Sequence, residues 1–207
     1  MAAAPPSLFP LDDLAEAQAA LWARLARAVR DRRSPWHTPA VATVAADGVP
    51  KARVMVLRAV DQVRGCFRLH TDRRAGKVAE LAATPRAALL FYDAGARLQL
   101  RVEGRARIET EGAEVDSAWA ASRPFSRRCY TAPQAPGTES PGPASGLPPH
   151  LETREPTLAE SEAGRGNFAI LLLEAERLEF LHLAFTGHRR GVFLRDETGW
   201  EGRWLIP

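Results

Sequence analysis

Cysteine is almost missing from this 207-residue chain; Cys66 and Cys129 stand in unrelated contexts. Two thiols so placed make neither a disulfide scaffold nor a cysteine-ligated zinc site, and a reducing cytoplasm is the expected compartment. Lysine is as scarce: Lys51 and Lys77 stand against 26 arginines. That bias means each arginine must be judged by its position. Long apolar runs are missing too. The longest, Phe168 to Leu173, has six residues, far below the roughly 20 of a membrane-spanning helix, so no membrane association is expected. The start, Met1-Ala-Ala-Ala-Pro-Pro-Ser, has no basic n-region and does not read as a secretory signal. No Gly-x-Gly-x-x-Gly follows a strand pattern, and no Walker-type loop occurs, which excludes a Rossmann site and a P-loop. The histidines show no metal-ligand spacing, so no metal is expected. A formal charge of +3 without aromatics interleaved among the basic residues argues against nucleic acid, whose bases need stacking partners.

What is present is a globular composition of one domain's length, 45% hydrophobic and 26% charged. Residues 11–33 read as an amphipathic helix, with Leu11, Leu14, Leu21, Trp22, Leu25 and Val29 at helical spacing. Asp12 and Asp13 fall in its first turn, arginines in its last, and Ser34-Pro35 stops it. Period-two alternation follows. Strands are expected at 39–45, 51–60, 65–71, 87–92, 97–109, 168–173, 177–183 and 191–195, the chain closing on 200–206, with a hairpin turn at Ala46-Asp47-Gly48. Two short helices are expected, at 73–83 and 113–122. Seven of the 16 prolines lie between Pro133 and Pro156, so 131–165 reads as a long Pro/Gly-rich loop, extended or partly disordered. Tight hairpins with few crossover helices predict a mainly β, antiparallel, Greek-key-like barrel of six to eight strands, closed or partly open, within a single domain spanning 1–207.

Four segments could carry chemistry. Arg53-Val54-Met55-Val56-Leu57-Arg58 brackets an apolar strand core with two guanidiniums, whose rigid forks suit phosphate. Residues 53 and 58 face opposite sides of a regular strand, so both serve one ligand only if the strand bends; the plainer reading is two solvated arginines. His70-Thr71-Asp72-Arg73-Arg74-Ala75-Gly76-Lys77 leads from a strand into a helix start, where free N–H groups and the dipole favour an anion. Asp72 could instead be a plain N-cap. Gln99 alternates with Leu98 and Leu100, and a buried amide there would need partners. Thr186-Gly187-His188-Arg189-Arg190 is a basic turn in which His188 could act as general acid or base.

In this order the segments resemble the pyridoxamine 5'-phosphate oxidase family of FMN-binding split barrels, over roughly residues 35–207. Arg53 to Arg58 is similar to the family's Arg-x-Val-Leu-Leu-Lys strand, with arginine for the last lysine. His70-Thr71-Asp72 with Ala75-Gly76-Lys77 resembles its phosphate segment, and Thr84-Pro85 its Asn-Pro. Leu98-Gln99-Leu100-Arg101-Val102-Glu103-Gly104 resembles its Arg-Gln-Val-x-Val-x-Gly strand. Ser122-Arg123-Pro124 matches Ser-Arg-Pro, and Thr131 to Ala135 its Ser-x-Gln-Ser loop. Thr186 to Arg190 resembles Arg-Leu-His-Asp-Arg, and Trp200 to Pro207 the family's ending.

The resemblance implies a split barrel, an FMN cofactor and a homodimer with FMN at its interface. It implies FMN contacts from Arg53, Val54, Met55, Val56, Leu57, Arg58, His70, Thr71, Gly76, Lys77, Gln99, Gln134, Ala135 and Arg190. Substrate would meet Arg58, Trp119, Arg123 and His188, with His188 and Arg123 as catalytic candidates. The implied reaction is hydride transfer from a small-molecule substrate to FMN, which oxygen reoxidises. The substrate half departs from the family pattern: Thr186 replaces an arginine, Trp119 a tyrosine and Leu181 a tryptophan, and no serine follows Ser-Arg-Pro in register. The alternatives are a genuine vitamin B6 phosphate oxidase, with Arg123, Arg127 or Arg128 compensating, and a non-catalytic flavin- or haem-binding module.

Overall fold

The computed structural model describes residues 9–10 and 12–207. Leu11 and the Met1–Ser7 start lie outside them. The first helix, α1 (Leu14–Arg30), is shorter at both ends than the pattern predicts. Asp13 is its N-cap, not a first-turn residue, because its Oδ1 accepts from Glu16 N at 2.9 Å. Asp31 caps the other end, and Ser34 starts a separate 3-10 turn at Pro35–His37. The buried stripe of Ala17, Leu21, Trp22, Leu25 and Ala28 packs α1 onto the barrel.

Nine strands form one antiparallel sheet among the described residues: β1 (Ala40–Val44), β2 (Pro50–Val54), β3 (Leu57–Asp61), β4 (Cys66–Asp72), β5 (Arg86–Asp93), β6 (Leu98–Glu109), β7 (Phe168–His182), β8 (Arg189–Arg195) and β9 (Trp200–Leu205). The short helices are α2 (Gly76–Ala83), α3 (Ala113–Ala120), α4 (Pro124–Arg127) and α5 (Leu158–Glu162). Two of these were not expected. Residues 113–122 shorten to α3, and Pro124 at the first position begins α4. α5 lies inside the 131–165 segment, where Thr157 and Glu160 make a capping box.

The strand expected at 51–60 is two strands, β2 and β3. They are the two ends of the path β2-β1-β5-β6-β7-β4-β3, so residues 55–56 carry the chain across the gap between the edges. That crossing makes the barrel split rather than closed. Met55 N, which donates to Pro39 O at 3.0 Å, fixes the corner. The reverse correction applies to 168–183, one strand of 15 residues. Its break in hydrophobicity at Glu174–Glu176 is a bulge: Glu103 faces Arg177 and Gly104 faces Ala175, leaving Glu176 unpaired.

β7 belongs to two environments. Its first half, Phe168–Leu173, is buried on both faces, which explains the unbroken apolar run. One face joins the barrel core with Phe67, Leu69, Leu100 and Val102; the other joins a second core of Trp119, Tyr130, Phe168 and Ile170 under α3. Its second half alternates between the core (Leu178, Phe180, His182) and the outer wall (Arg177, Glu179, Leu181), and that wall is bare further along, on β2 and β5. Val54 is 68% exposed on that wall, and Leu90 and Tyr92 are also exposed.

Candidate functional site: a cationic seat at the barrel mouth and a second half-site on the outer wall

Register decides where each predicted residue points. Arg53 pairs with Val41, Val41 with Leu89, and Leu89 with Val102. The last three are fully buried, so Arg53 lies on the inner side, at the barrel mouth that α2 closes with Leu81. Its Nη2 donates to Glu80 Oε2 at 2.9 Å, and Thr43 Oγ1 bonds both groups. Lys77 Nζ donates to Thr71 Oγ1 at 3.1 Å. Burial and the nearby Arg53 charge hold the Lys77 ammonium below its ordinary pKa. Burial opposes ionisation of Glu80, but the Thr43 and Arg53 bonds outweigh it and keep the carboxyl below its usual range. Arg53, Lys77 and the first turn of α2 thus converge. Space stays open above that turn, because a Cβ on Gly76 would meet only Glu80 Oε1, at 3.8 Å. The pattern of basic first-turn residues holds for Lys77 alone. Arg73 and Arg74 precede the helix, whose N-cap is Ala75, not Asp72. Asp72 instead binds Arg74, at Nη2 over 2.7 Å and Nε over 3.0 Å.

Arg58 is the bulged residue of β3: Leu57 faces Leu69 while Ala59 faces Arg68. This irregularity turns the strand at Arg58, which lies toward the second core with His70 and Tyr130, while Arg53 lies with Thr43 and Glu80. Arg58 lies near His70, Tyr130 and Cys129, whose ionisation its charge affects. Arg58 Nε and His70 Nε2 are buried and have no hydrogen-bond partner among the described residues. Burial, then the charges of Arg58 and Arg68, push His70 down to about 3, so its ring is neutral and edge-on to Phe168. Two unpartnered buried polar atoms fit a hydrogen-bonding ligand, but His70 alternates with Thr71 along β4 and faces the second core with Phe168, on the other side of the strand from the Thr71–Lys77 contact. Val54, Met55, Val56 and Leu57 form the crossing between the two arginines. Met55 and Leu57 are buried in the core, and Val54 points outward.

Gln99 and Arg190 are not brought to this seat within one chain. Gln99 pairs with Leu181 and Leu181 with Arg190, a row alternating with buried Leu98 and Leu100 and therefore on the outer wall. Next to it stands Glu179, which the sequence reading did not single out. It is 3% exposed and accepts from Arg101 Nη2 at 2.8 Å, from Arg190 Nε and Nη2 at 3.0 and 2.8 Å, and from Arg177. Burial would raise its pKa, but these arginines hold it below the usual range. Its position between Leu178 and Phe180 in an alternating strand marks it only as outward-facing. Thr43 and Glu80 were missed for a similar reason, since their role depends on Arg53 folding onto them.

The substrate candidates divide. Trp119 is buried and donates from Nε1 to Glu162 Oε2 at 2.9 Å. Arg127 lies over its ring at 4.5 Å and bonds the Trp119 carbonyl and Glu162. Arg123 and His188 are exposed. His188 Nδ1 accepts from Ala184 N at 3.1 Å, placing a neutral ring's proton on Nε2. Gln134 is exposed, and the preceding carbonyls of Ala132 and Pro133 accept from Arg74 at 3.0 and 3.1 Å. This ties the Gln134–Ala135 loop to the approach of α2. A groove of about 570 Å³ runs along the outer wall past Ala42, Ala88, Glu103 and Arg177. Among the described residues no helix is long and apolar enough to cross a membrane, and no cluster of three or more metal-ligating side chains occurs.

A mainly β, antiparallel split barrel is the architecture of the FMN-binding split-barrel proteins. The comparisons make the assignment specific. The family profile described as pyridoxamine 5'-phosphate oxidase matches residues 25–142. A curated pyridoxine/pyridoxamine 5'-phosphate oxidase of Burkholderia vietnamiensis is 34% identical over 179 residues, 83% of this chain and 79% of that protein. One of Cupriavidus taiwanensis is 41% identical over 102 residues, 49% of this chain and 46% of that protein. The chain belongs to the pyridoxamine 5'-phosphate oxidase family, a family of FMN-binding, oxidoreductase-type proteins. Among solved structures, PhzG of Burkholderia lata in complex with tetrahydrophenazine-1-carboxylic acid superposes with a TM-score of 0.71 at 25% identity, over 98% of each chain. A pyridoxamine 5'-phosphate oxidase-related, FMN-binding protein of Nostoc punctiforme shares the fold, with a TM-score of 0.69 at 22% identity over 91% of this chain and 96% of that one.

Proposed function

We propose that this protein is an FMN-dependent oxidoreductase that works as a homodimer on a small-molecule substrate in the cytoplasm. The observation that carries the reading is the pair of cations, Arg53 and Lys77, converging beside Thr71 at the open start of α2. Arg53 and Lys77 hold the phosphate there, with the N–H groups of the first helical turn. Arg58 Nε and His70 Nε2, otherwise unpartnered, bond the cofactor's polar groups beyond the phosphate. When bound, FMN supplies the hydride acceptor that oxygen afterwards reoxidises.

The homodimer follows from the two half-sites. Gln99 and Arg190 stand on the outer wall of the barrel, and Arg53 and Lys77 face its mouth, so a ligand touching all four takes each pair from a different copy. The exposed Val54, Leu90 and Tyr92 give that wall an apolar surface for the second copy to cover. There Gln99 bonds the ring edge, and Gln134 and Ala135 close over the approach. His188 Nε2 and Arg123 are the groups left to orient substrate or move a proton.

The 34% identical relative favours one particular substrate reading: a vitamin B6 5'-phosphate, held by Arg58, Arg123 and His188. Against it stand Trp119 and Arg127, whose donors are already committed to Glu162. The first test is an absorption spectrum of purified protein before and after FMN addition and desalting, with light scattering for mass. About one oxidised flavin per chain in a dimer supports the reading; no retained flavin overturns it. Formation of pyridoxal 5'-phosphate from pyridoxine 5'-phosphate then decides the substrate.

A further inference from the structure

We propose that Glu179 is the positioning residue of the outer half-site: it holds the Arg190 guanidinium in the orientation that meets the cofactor and sets the positive charge that the cofactor feels. The inference rests on the flavin reading above and assigns this chain's own means of orienting Arg190.

Three observations carry it. First, Glu179 is 3% exposed on a wall that leaves Val54, Leu90 and Tyr92 bare; it lies opposite the buried Val192 and is bonded by three arginines. Second, both bonds from Arg190 use its Nε and Nη2 edge on the same carboxylate oxygen, Oε1. The guanidinium is thereby held flat and its Nη1 is left to donate elsewhere. Third, Arg190 lies in the Gln99–Leu181 row, while Glu179 lies in the next row, opposite Arg101 and Val192. Glu179 therefore acts sideways on a residue that touches the ligand and does not occupy the row itself.

A cluster of this kind is a poor device for stability. Taking a carboxylate out of water is costly, and an apolar residue of similar volume often serves a fold as well. What the charges add is direction and field. Arg101, Arg177 and Arg190 face Glu179 and Glu103, which leaves a surplus of one positive charge in the cluster. A surplus of that sign stabilises a reduced, anionic ligand more than an oxidised, neutral ring. Removing the Glu179 charge therefore has two separable effects. Arg190 loses its anchor, so the oxidised cofactor binds less tightly. The surplus doubles, so the reduced form gains relative to the oxidised.

The test titrates FMN into the cofactor-stripped wild type, Glu179→Gln and Arg177→Gln, by flavin fluorescence. The two-electron potential of each loaded protein is then measured against reference dyes. The expected result is at least a tenfold weaker Kd for Glu179→Gln with a potential moved to more positive values. Arg177→Gln, which removes a neighbour of Glu179 but not the anchor of Arg190, stays within about threefold of wild type in Kd. If Glu179→Gln melts far below wild type, Glu179→Asp takes its place: charge kept and reach shortened, it weakens FMN binding while the potential stays at the wild-type value. The inference is overturned if the wild type binds FMN and Glu179→Gln matches it in both readouts, or if Arg177→Gln loses as much affinity as Glu179→Gln. Wild-type protein that binds no FMN at all overturns the flavin reading, and this inference with it.

Discussion

Replacing Arg53 by alanine tests the cationic seat most directly, and the structure gives the size of the effect. The change removes a guanidinium whose charge-assisted bonds to a phosphate are worth about 1.5–3 kcal/mol each. It also strips Glu80 of its cation. The Arg53–Glu80 pair spans 2.9 Å with the two side chains 25% and 15% exposed, so the orphaned carboxylate faces the phosphate seat from a partly desolvated position. At an effective dielectric near 20, that repulsion is on the order of 1–2 kcal/mol. Together the losses reach about 3–5 kcal/mol, a rise in FMN Kd of roughly a hundredfold to a few thousandfold. Fluorescence titration with FMN at about 0.15 M salt, where exposed charges are screened, measures this. The double variant Arg53→Ala/Glu80→Gln recovers about tenfold of the loss, because the orphaned charge is gone. Arg53→Lys falls in between, since a point charge cannot bond Thr43, Glu80 and phosphate at once. An Arg53→Ala protein that binds FMN within threefold of wild type refutes the seat. A double variant no tighter than Arg53→Ala refutes the role given to Glu80.

Three further outcomes follow from other parts of the structure. Leu90→Glu puts a charge on the bare outer wall, where only a second copy would bury it. On the proposed homodimer it should give a monomer by light scattering and abolish FMN retention, and a dimeric Leu90→Glu protein would show that the copies meet elsewhere. His70 is held neutral with its pKa at about 3, below the 6.5 of an unfolded chain. Its contribution is therefore complete above pH 6.5 and is lost as pH falls from there toward 3. Unfolding free energies from urea titrations between pH 6.5 and 5 should drop more steeply for wild type than for His70→Gln, by about 1 kcal/mol per pH unit; parallel curves contradict the burial argument. Gly104→Ala should cost about 3 kcal/mol or more in urea unfolding. A Cβ there would stand 2.0 Å from the Glu174 carbonyl oxygen, and an unchanged midpoint would mean the β7 bulge yields freely.

Elements whose pattern is local were legible in the sequence. The α1 stripe, the Gly48 hairpin and the alternation of β6 each depend on residues a few positions apart, and the structure differs from the reading only at their ends. The errors fall where a distant partner decides. Nothing within residues 51–60 shows that β2 pairs with β1 and β3 with β4, yet that choice splits one apparent strand into two. The acidic interruption in β7 looks like a strand end until Gly104, the residue that accommodates the bulge, is placed opposite it. α5 was hidden among prolines, although its Thr157-x-x-Glu160 cap is a local signal that the composition of the loop obscured.

The site divides the same way. The family resemblance, carried by side-chain type and order along the chain, points to Arg53, Arg58, Thr71, Lys77, Gln99 and Arg190 as the proposed contacts. What type and order cannot show is which side of the wall each one faces, because facing is fixed by register across six strands, β2 through β1, β5, β6 and β7 to β8. The counterions are less legible still. Glu80 and Glu179 read as ordinary acids in a helix and a strand until Arg53 and Arg190 fold onto them. In both half-sites the arginine is held by a carboxylate, one at the mouth and one on the outer wall. An arginine-rich sequence has many cations that could approach an anionic ligand. A carboxylate that fixes a guanidinium before the ligand arrives lowers the entropy lost on binding and separates these two arginines from the solvated ones around them. On that argument the affinity of the site depends on Glu80 and Glu179 as well as on the cations, although neither carboxylate needs to touch the ligand.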